Sequence, residues 1–414
     1  KAAAAADIAI VCVGNHPYGT RADWKFSPVP SDGREAVDRK SLMLPDEDLV
    51  KLVLKANPNT ILVLVSSFPY TINWSQEHVP AIVHITHCSQ EQGNGLADVL
   101  FGKVNPAGRT VQTWVKDITD LPDMMDYDIR NGRTYMYHQG PVLYPFGYGL
   151  SYTDFEWSDL KVDWDGDLCT ASVTVKNSGF TSGKDVVEFY VQSPYIPGGV
   201  EKAAVALAQY VKTSELAPGE SQRVSVTFSK QDIASYDAKD AKTYVIDAGD
   251  WYVTAAHDAH EAVNNVLAAK GKTTADGMTA NGNTAMAAKY TVSERELLNK
   301  DAVSGVEVTN QLDDIVYADD TVYLSRSDWS VMDNNGLEYA TGVAKGVSNV
   351  GNISGDVPTY VISDDLRAKF ELKGFAASLN PTDPTDATLY PGKEAYTYGA
   401  KNNLKLIDMV GLDY

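Results

Sequence analysis

Short apolar runs alternate with amphipathic stretches through the front of the chain. Residues 7–13, Asp-Ile-Ala-Ile-Val-Cys-Val, are apolar and rich in β-branched side chains, and Gly14 ends them. Length and content are those of a parallel strand buried on both faces. A helix is expected to begin near Leu44-Pro45-Asp46-Glu47, where proline and acidic residues suit a first turn. Leu49, Leu52, Val53 and Ala56 then recur at helical spacing. Asn57-Pro58-Asn59-Thr60 leads into a second strand over 61–65, and a third is expected over 81–85, ahead of Ser89-Gln90-Glu91-Gln92-Gly93-Asn94-Gly95 and another helix. Strands alternating with helices indicate an α/β layer.

After Phe155 the texture changes to short strands separated by turn signals. Residues 169–175 alternate polar and apolar, 185–191 and 223–228 read as strands, and 244–253 supply two more around Gly249. This spacing indicates an antiparallel β-sandwich. Its aromatic residues are expected in the core rather than on a sugar-binding strip. From His257 the organisation weakens: 262–269 read as a short helix, 271–287 as a mobile connection, and few long periodic segments follow.

The chain is long enough for two or three domains. A formal net charge of −20 argues against nucleic acid and anionic membranes as partners, since both demand a basic face. No apolar run reaches the roughly 18 residues needed to span a bilayer. The start, Lys1-Ala2-Ala3-Ala4-Ala5-Ala6, looks like the end of a helix rather than a secretion signal. Cys12, Cys88 and Cys169 lie in or beside apolar runs and cannot all pair with one another, which favours small buried hydrophobes over a disulfide framework.

Chemistry is most concentrated in Gly33-Arg34-Glu35-Ala36-Val37-Asp38-Arg39, which places a carboxylate in the loop after the first strand. Open α/β sheets keep their ligands at that edge. On the residues alone Glu35 is ambiguous between a structural ion pair and a catalytic acid. Trp24 and Trp74 are candidates to line a sugar site, with core packing the alternative for each. The histidines show no metal-ligand spacing and there is no phosphate-binding glycine loop, so no cofactor is expected.

Further segments complete a pattern: Leu100-Phe101-Gly102-Lys103-Val104-Asn105-Pro106-Ala107-Gly108-Arg109, Gly132-Arg133-Thr134-Tyr135-Met136-Tyr137, and Phe146-Gly147-Tyr148-Gly149-Leu150-Ser151-Tyr152. Together with Glu35-x-x-Asp38-Arg39, in this order, they resemble the second domain of the family 3 glycoside hydrolases, the β-glucosidase family. Ser89 departs from the pattern, standing where the family usually carries glycine. The resemblance implies α/β plus all-β architecture: an α/β sandwich domain over 1–155, lacking its first strand, a fibronectin type III-like β-sandwich over 156–256, and a linker over 257–414 leading to an absent (β/α)8 barrel, as in members with reversed domain order.

The activity implied is retaining glycoside hydrolysis by two carboxylates about 5–5.5 Å apart. By motif position Glu35 is the acid/base, while Asp38 and Arg39 hold the loop. Ser327-Asp328-Trp329 matches the tripeptide around the family's nucleophile. Residues 300–414 cannot supply eight βα units, however, so Asp328 is not assigned that role, and Trp329 is read as an anchor against a neighbouring domain. The implied partners are a β-linked glycoside or oligosaccharide and a barrel from the rest of the same protein or another chain. The alternatives are a non-catalytic carbohydrate-binding or scaffold module, and a small-molecule-binding domain sharing only the architecture.

Overall fold

The computed structural model describes residues 1–15, 39, 41–88, 90–123, 126 and 129–309. A one-turn helix α1 (Ala2–Ala5) precedes β1 (Ala9–Gly14), followed by α2 (Glu47–Ala56), β2 (Thr60–Val65), α3 (Asn73–His78), β3 (Ala81–Ile85) and α4 (Gln92–Leu100). The strands form a parallel sheet in the order β1-β2-β3, with Ala9 opposite Thr60 and Ile61 opposite Ala81. Val11, Val13, Val50, Leu62, Leu64, Tyr70, Ile72 and Trp114 form its core.

Two expectations need correction here. β1 is not buried on both faces: Ala9, Val11 and Val13 are buried, but Ile8 is 58% and Ile10 47% exposed. Among the described residues β1 has a neighbour on one side only, and an edge strand receives less cover than β2, whose Leu62, Val63 and Leu64 are wholly buried. On α2 the inward stripe is Val50, Val53 and Leu54 rather than the Leu49–Leu52 side, since Leu49 and Leu52 are 49% and 66% exposed. Apolar residues occupy both sides of this helix, so periodicity alone did not choose between them.

Next come β4 (Trp114–Val115), α5 (Thr134–Tyr137) and β5 (Val142–Tyr144), β4 pairing antiparallel with β5. The β-sandwich comprises β6 (Phe155–Asp165), β7 (Leu168–Asn177), β8 (Val186–Gln192), β9 (Ala206–Lys212), β10 (Ser221–Ser229), α6 (Lys230–Ile233), β11 (Ser235–Asp237), β12 (Thr243–Ile246), β13 (Gly249–Ala256), α7 (Ala259–Ala269), β14 (Ala287–Val292) and β15 (Glu296–Leu298). One sheet runs β10-β7-β6, another β14-β13-β8-β9, and a third β11-β12-β15. Alternation decides the packing: Cys169, Ala171, Val173 and Val175 of β7 and Val224, Val226 and Phe228 of β10 turn inward against Val187, Phe189, Trp251 and Val253. Each large side chain so buried contributes about 1.5–3 kcal/mol.

The sandwich continues past residue 256. β14 pairs with β13, β15 pairs with β12, and α7 buries Ala259, Ala262 and Val266. Asp258 caps α7 by accepting the Glu261 N–H at 2.9 Å. The stretch expected to be a mobile connection holds 3-10 turns at Thr274–Asp276 and Thr284–Met286, with Met286 in the core. The edge strand Ala287–Val292 has too weak an alternation to stand out in sequence. Of the cysteines only Cys169 is buried; Cys12 and Cys88 are exposed, one on the open face of β1 and one beyond the end of β3. Among the described residues no helix is long and apolar enough to cross a membrane.

Candidate functional site

The carboxyl ends of β1, β2 and β3 meet at one edge of the α/β sheet, the edge at which such sheets bind ligands. There Gly14 adopts a φ of +143°, and a Cβ on it would lie 1.8 Å from the Val65 carbonyl oxygen, so only glycine lets β1 leave the sheet so close to β2. Asn15 then donates its N–H to Val65 O at 3.0 Å. Its side-chain Oδ1 accepts the Ser67 N–H at 3.2 Å. An open cleft of about 330 Å³ lies here, lined by Cys12, Val13, Gly14, Asn15, Asp46 and Val65.

His87, just past β3, crosses the ends of the other two strands. Its Nε2 lies 2.5 Å from Asn15 O and its Nδ1 2.6 Å from Ser67 Oγ. A backbone carbonyl only accepts, so Nε2 carries the proton and Nδ1 accepts the Ser67 hydroxyl proton. A second pair sits deeper, with Ser66 Oγ donating to Phe68 O at 2.9 Å and lying 3.1 Å from His84 Nε2. Burial lowers the His84 pKa, outweighing its bond to Ser66.

The far side of the loop is pinned to the same segment. The Arg39 guanidinium lies over the rings of Phe68 and Tyr70, 4.6 and 4.7 Å from their centroids, and donates to Met43 O at 2.8 Å. Thr71 N–H donates to Leu42 O at 2.8 Å. The residues on either side of 16–38 are thus both fastened to the stretch from Ser67 to Thr71. Glu35, Trp24 and Asp38 lie outside the described residues, as do Ser89, Asp328 and Trp329. Trp74 is occupied in packing: it stacks on His78 at 4.6 Å, lies 5.5 Å from the Lys51 ammonium and joins the α/β core. Among the described residues lining the cleft, Asp46 is the one carboxylate. Asn15, Ser67 and His87 carried no motif, and only their positions at strand ends mark them.

The motifs nearer the sandwich have a different task. Asn105 donates to Ser182 O at 3.0 Å and accepts from Ser151 Oγ and Tyr152 N at 3.0 and 2.8 Å. Arg109 pairs with Asp185 at 2.7 Å, and the other Asp185 oxygen accepts from Trp157 Nε1 at 2.7 Å. Tyr135 stacks on Phe146 at 4.5 Å and its hydroxyl accepts the Leu207 N–H at 3.0 Å. These side chains bind the α/β layer to the sandwich.

Residues 1–152 match the glycosyl hydrolase family 3 C-terminal domain, and residues 185–259 a fibronectin type III-like domain. A probable beta-glucosidase I of Aspergillus terreus is 34% identical over 242 residues, which cover 53% of this chain and 28% of that protein. Among solved structures, beta-glucosidase from Kluyveromyces marxianus superposes with a TM-score of 0.56 at 27% identity, over 72% of this chain and 34% of that one. Beta-glucosidase 3B from Thermotoga neapolitana, solved in complex with alpha-D-glucose, gives 0.56 at 26%, over 71% and 39%. This chain therefore spans less than two fifths of each of those proteins, and within that span its residues 1–152 are similar to the C-terminal domain of glycosyl hydrolase family 3, followed by a fibronectin type III-like part.

Proposed function

We propose that this chain supplies the acid/base carboxylate, Glu35, and the supporting scaffold of a retaining β-glycosidase of β-glucosidase type, with the nucleophile on a barrel domain outside these residues. One observation carries the reading: both flanks of the segment bearing Glu35 are tied to the Ser67–Thr71 stretch, at the ligand-binding edge of the sheet. The substrate is then a β-linked glycoside or oligosaccharide. A general acid must hold its proton at the working pH, which a partly buried site beside the nucleophile's negative charge favours. It protonates the leaving-group oxygen, and as a base it later activates the water that releases the sugar.

The test is Glu35→Ala in the complete enzyme. Substrates with poor leaving groups should slow far more than activated aryl glycosides, which need little protonation, and azide should partly restore turnover by attacking the glycosyl-enzyme. Equal loss on both substrate types without azide rescue removes Glu35 from the mechanism. Sugar binding that survives with no turnover in the complete protein would instead support a non-catalytic carbohydrate-binding module.

A further inference from the structure

Glu188 stands in the middle of β8 and is 5% exposed. Its neighbours Val187 and Phe189 point into the sandwich core, so Glu188 and Tyr190 occupy the opposite face, where Tyr190 packs with Ala259, Ala262, Tyr135 and Phe146. The Tyr190 hydroxyl donates to Glu188 Oε2 at 2.6 Å. Above the carboxyl sits the turn that carries Gly147, whose φ is +90° and whose Cβ, if it had one, would lie 2.2 Å from Oε2. A bare glycine Cα is what lets the α/β layer close over this group.

The charges facing it do not neutralise it. Arg109 attracts the carboxylate, but its guanidinium already pairs with Asp185 at 2.7 Å. His257 attracts it and Asp258 repels it, both from the start of α7, and His257 is itself bonded to Glu261 at 2.7 Å. Tyr135 of α5 faces it from the α/β side. Within the sheet, Ala256 of β13 and Tyr210 of β9 lie opposite it and supply no cation. Burial therefore dominates and pushes the Glu188 pKa up to about 7, against the pull of Tyr190, Arg109 and His257.

We propose that Glu188 is a proton-operated latch between the two layers: with its carboxyl neutral the Phe146–Tyr148 turn seats on β8, and with it ionised that seat opens to water. The sign follows from linkage. The seated form binds the proton more tightly than an open form with an ordinary carboxyl. Seating is therefore strongest below the ordinary carboxylate range and weakens as pH rises through about 7. A shift of this size raises the opening constant roughly thirtyfold between about pH 5.5 and 8.

Hydrogen exchange of the Ala259 amide reads the latch directly, because this N–H donates from α7 across the seat to Phe146 O at 3.0 Å. In the 414-residue chain, after correction for intrinsic exchange, the protection of this amide should fall roughly thirtyfold over that pH range. In Glu188→Gln, whose amide is a permanent neutral analogue, protection should stay high and flat. A flat profile in the native chain, or an unchanged slope in Glu188→Gln, overturns the latch; the latter would place the titration on His257, Asp258 or His260. Should the variant fail to fold, the carboxyl carbon of Glu188 in the native chain decides by NMR: a midpoint near 7 supports the latch, and one in the ordinary carboxylate range refutes it.

Discussion

The Arg39 guanidinium lies 4.7 Å from the centre of the Tyr70 ring, and Tyr70 is wholly buried. The arginine of the Glu-x-x-Asp-Arg motif therefore fastens the loop through an aromatic seat. Its planar, weakly hydrated cation suits such a face better than an ammonium does. Arg39→Lys should cost about 1 kcal/mol and Arg39→Ala about 2 kcal/mol, combining ring contacts and the bond to Met43 O. Urea denaturation measures both, and an unmoved midpoint in Arg39→Ala would show that the seat contributes nothing.

Gly14→Ala should destabilise the α/β layer by about 2 kcal/mol or more, because the new methyl meets backbone rather than a movable side chain. Wild-type stability in this variant would mean that β1 leaves the sheet by another path.

Arg109→Met strands Asp185, whose side chain is 2% exposed, and should cost about 3–5 kcal/mol, as does breaking other buried pairs from one side. Removing both charges in Arg109→Met with Asp185→Leu should recover part of that loss. A strictly additive double-mutant cycle would show that the pair is not coupled.

Asp237 works in the acid range. Burial would raise its pKa, but backbone N–H groups, with Asp240 foremost, and Arg295 at 2.6 Å hold it down to about 2. A depressed carboxyl gives stability that is complete above its ordinary range and is lost as pH falls toward about 2. Thermal melts between pH 5 and 2.5 should show a drop that Asp237→Asn shares far less, and parallel profiles would assign the acid loss to other groups.

The 414-residue chain should hydrolyse no aryl β-glucoside by itself, since retaining hydrolysis needs two suitably placed carboxylates. Turnover by the purified chain, abolished by Asp328→Asn, would overturn both this expectation and the rejection of Ser327-Asp328-Trp329 as a nucleophile motif.

Much of the fold was readable from local pattern. Residues 81–85 were expected as a strand and form β3, and the alternation at 169–175 falls within β7 (Leu168–Asn177). The first is set by an apolar run and the second by side-chain period, both properties of neighbouring residues. The misses had a common cause. Which side of α2 turned inward, whether β1 was covered on both faces and where the sandwich ended all depended on what packs from elsewhere in the chain.

The sequence by itself determined the order of elements, the change from α/β to all-β and the set of motifs, because turn chemistry, period and residue type are written locally. Tertiary structure alone decided what those motifs touch. Arg109 found Asp185 and Gly147 found Glu188, partners 76 residues away in the first case and on a strand of the sandwich in the second. Charge burial at that junction is a sum over residues that no linear spacing brings together, so the raised pKa of Glu188 had no sequence signal.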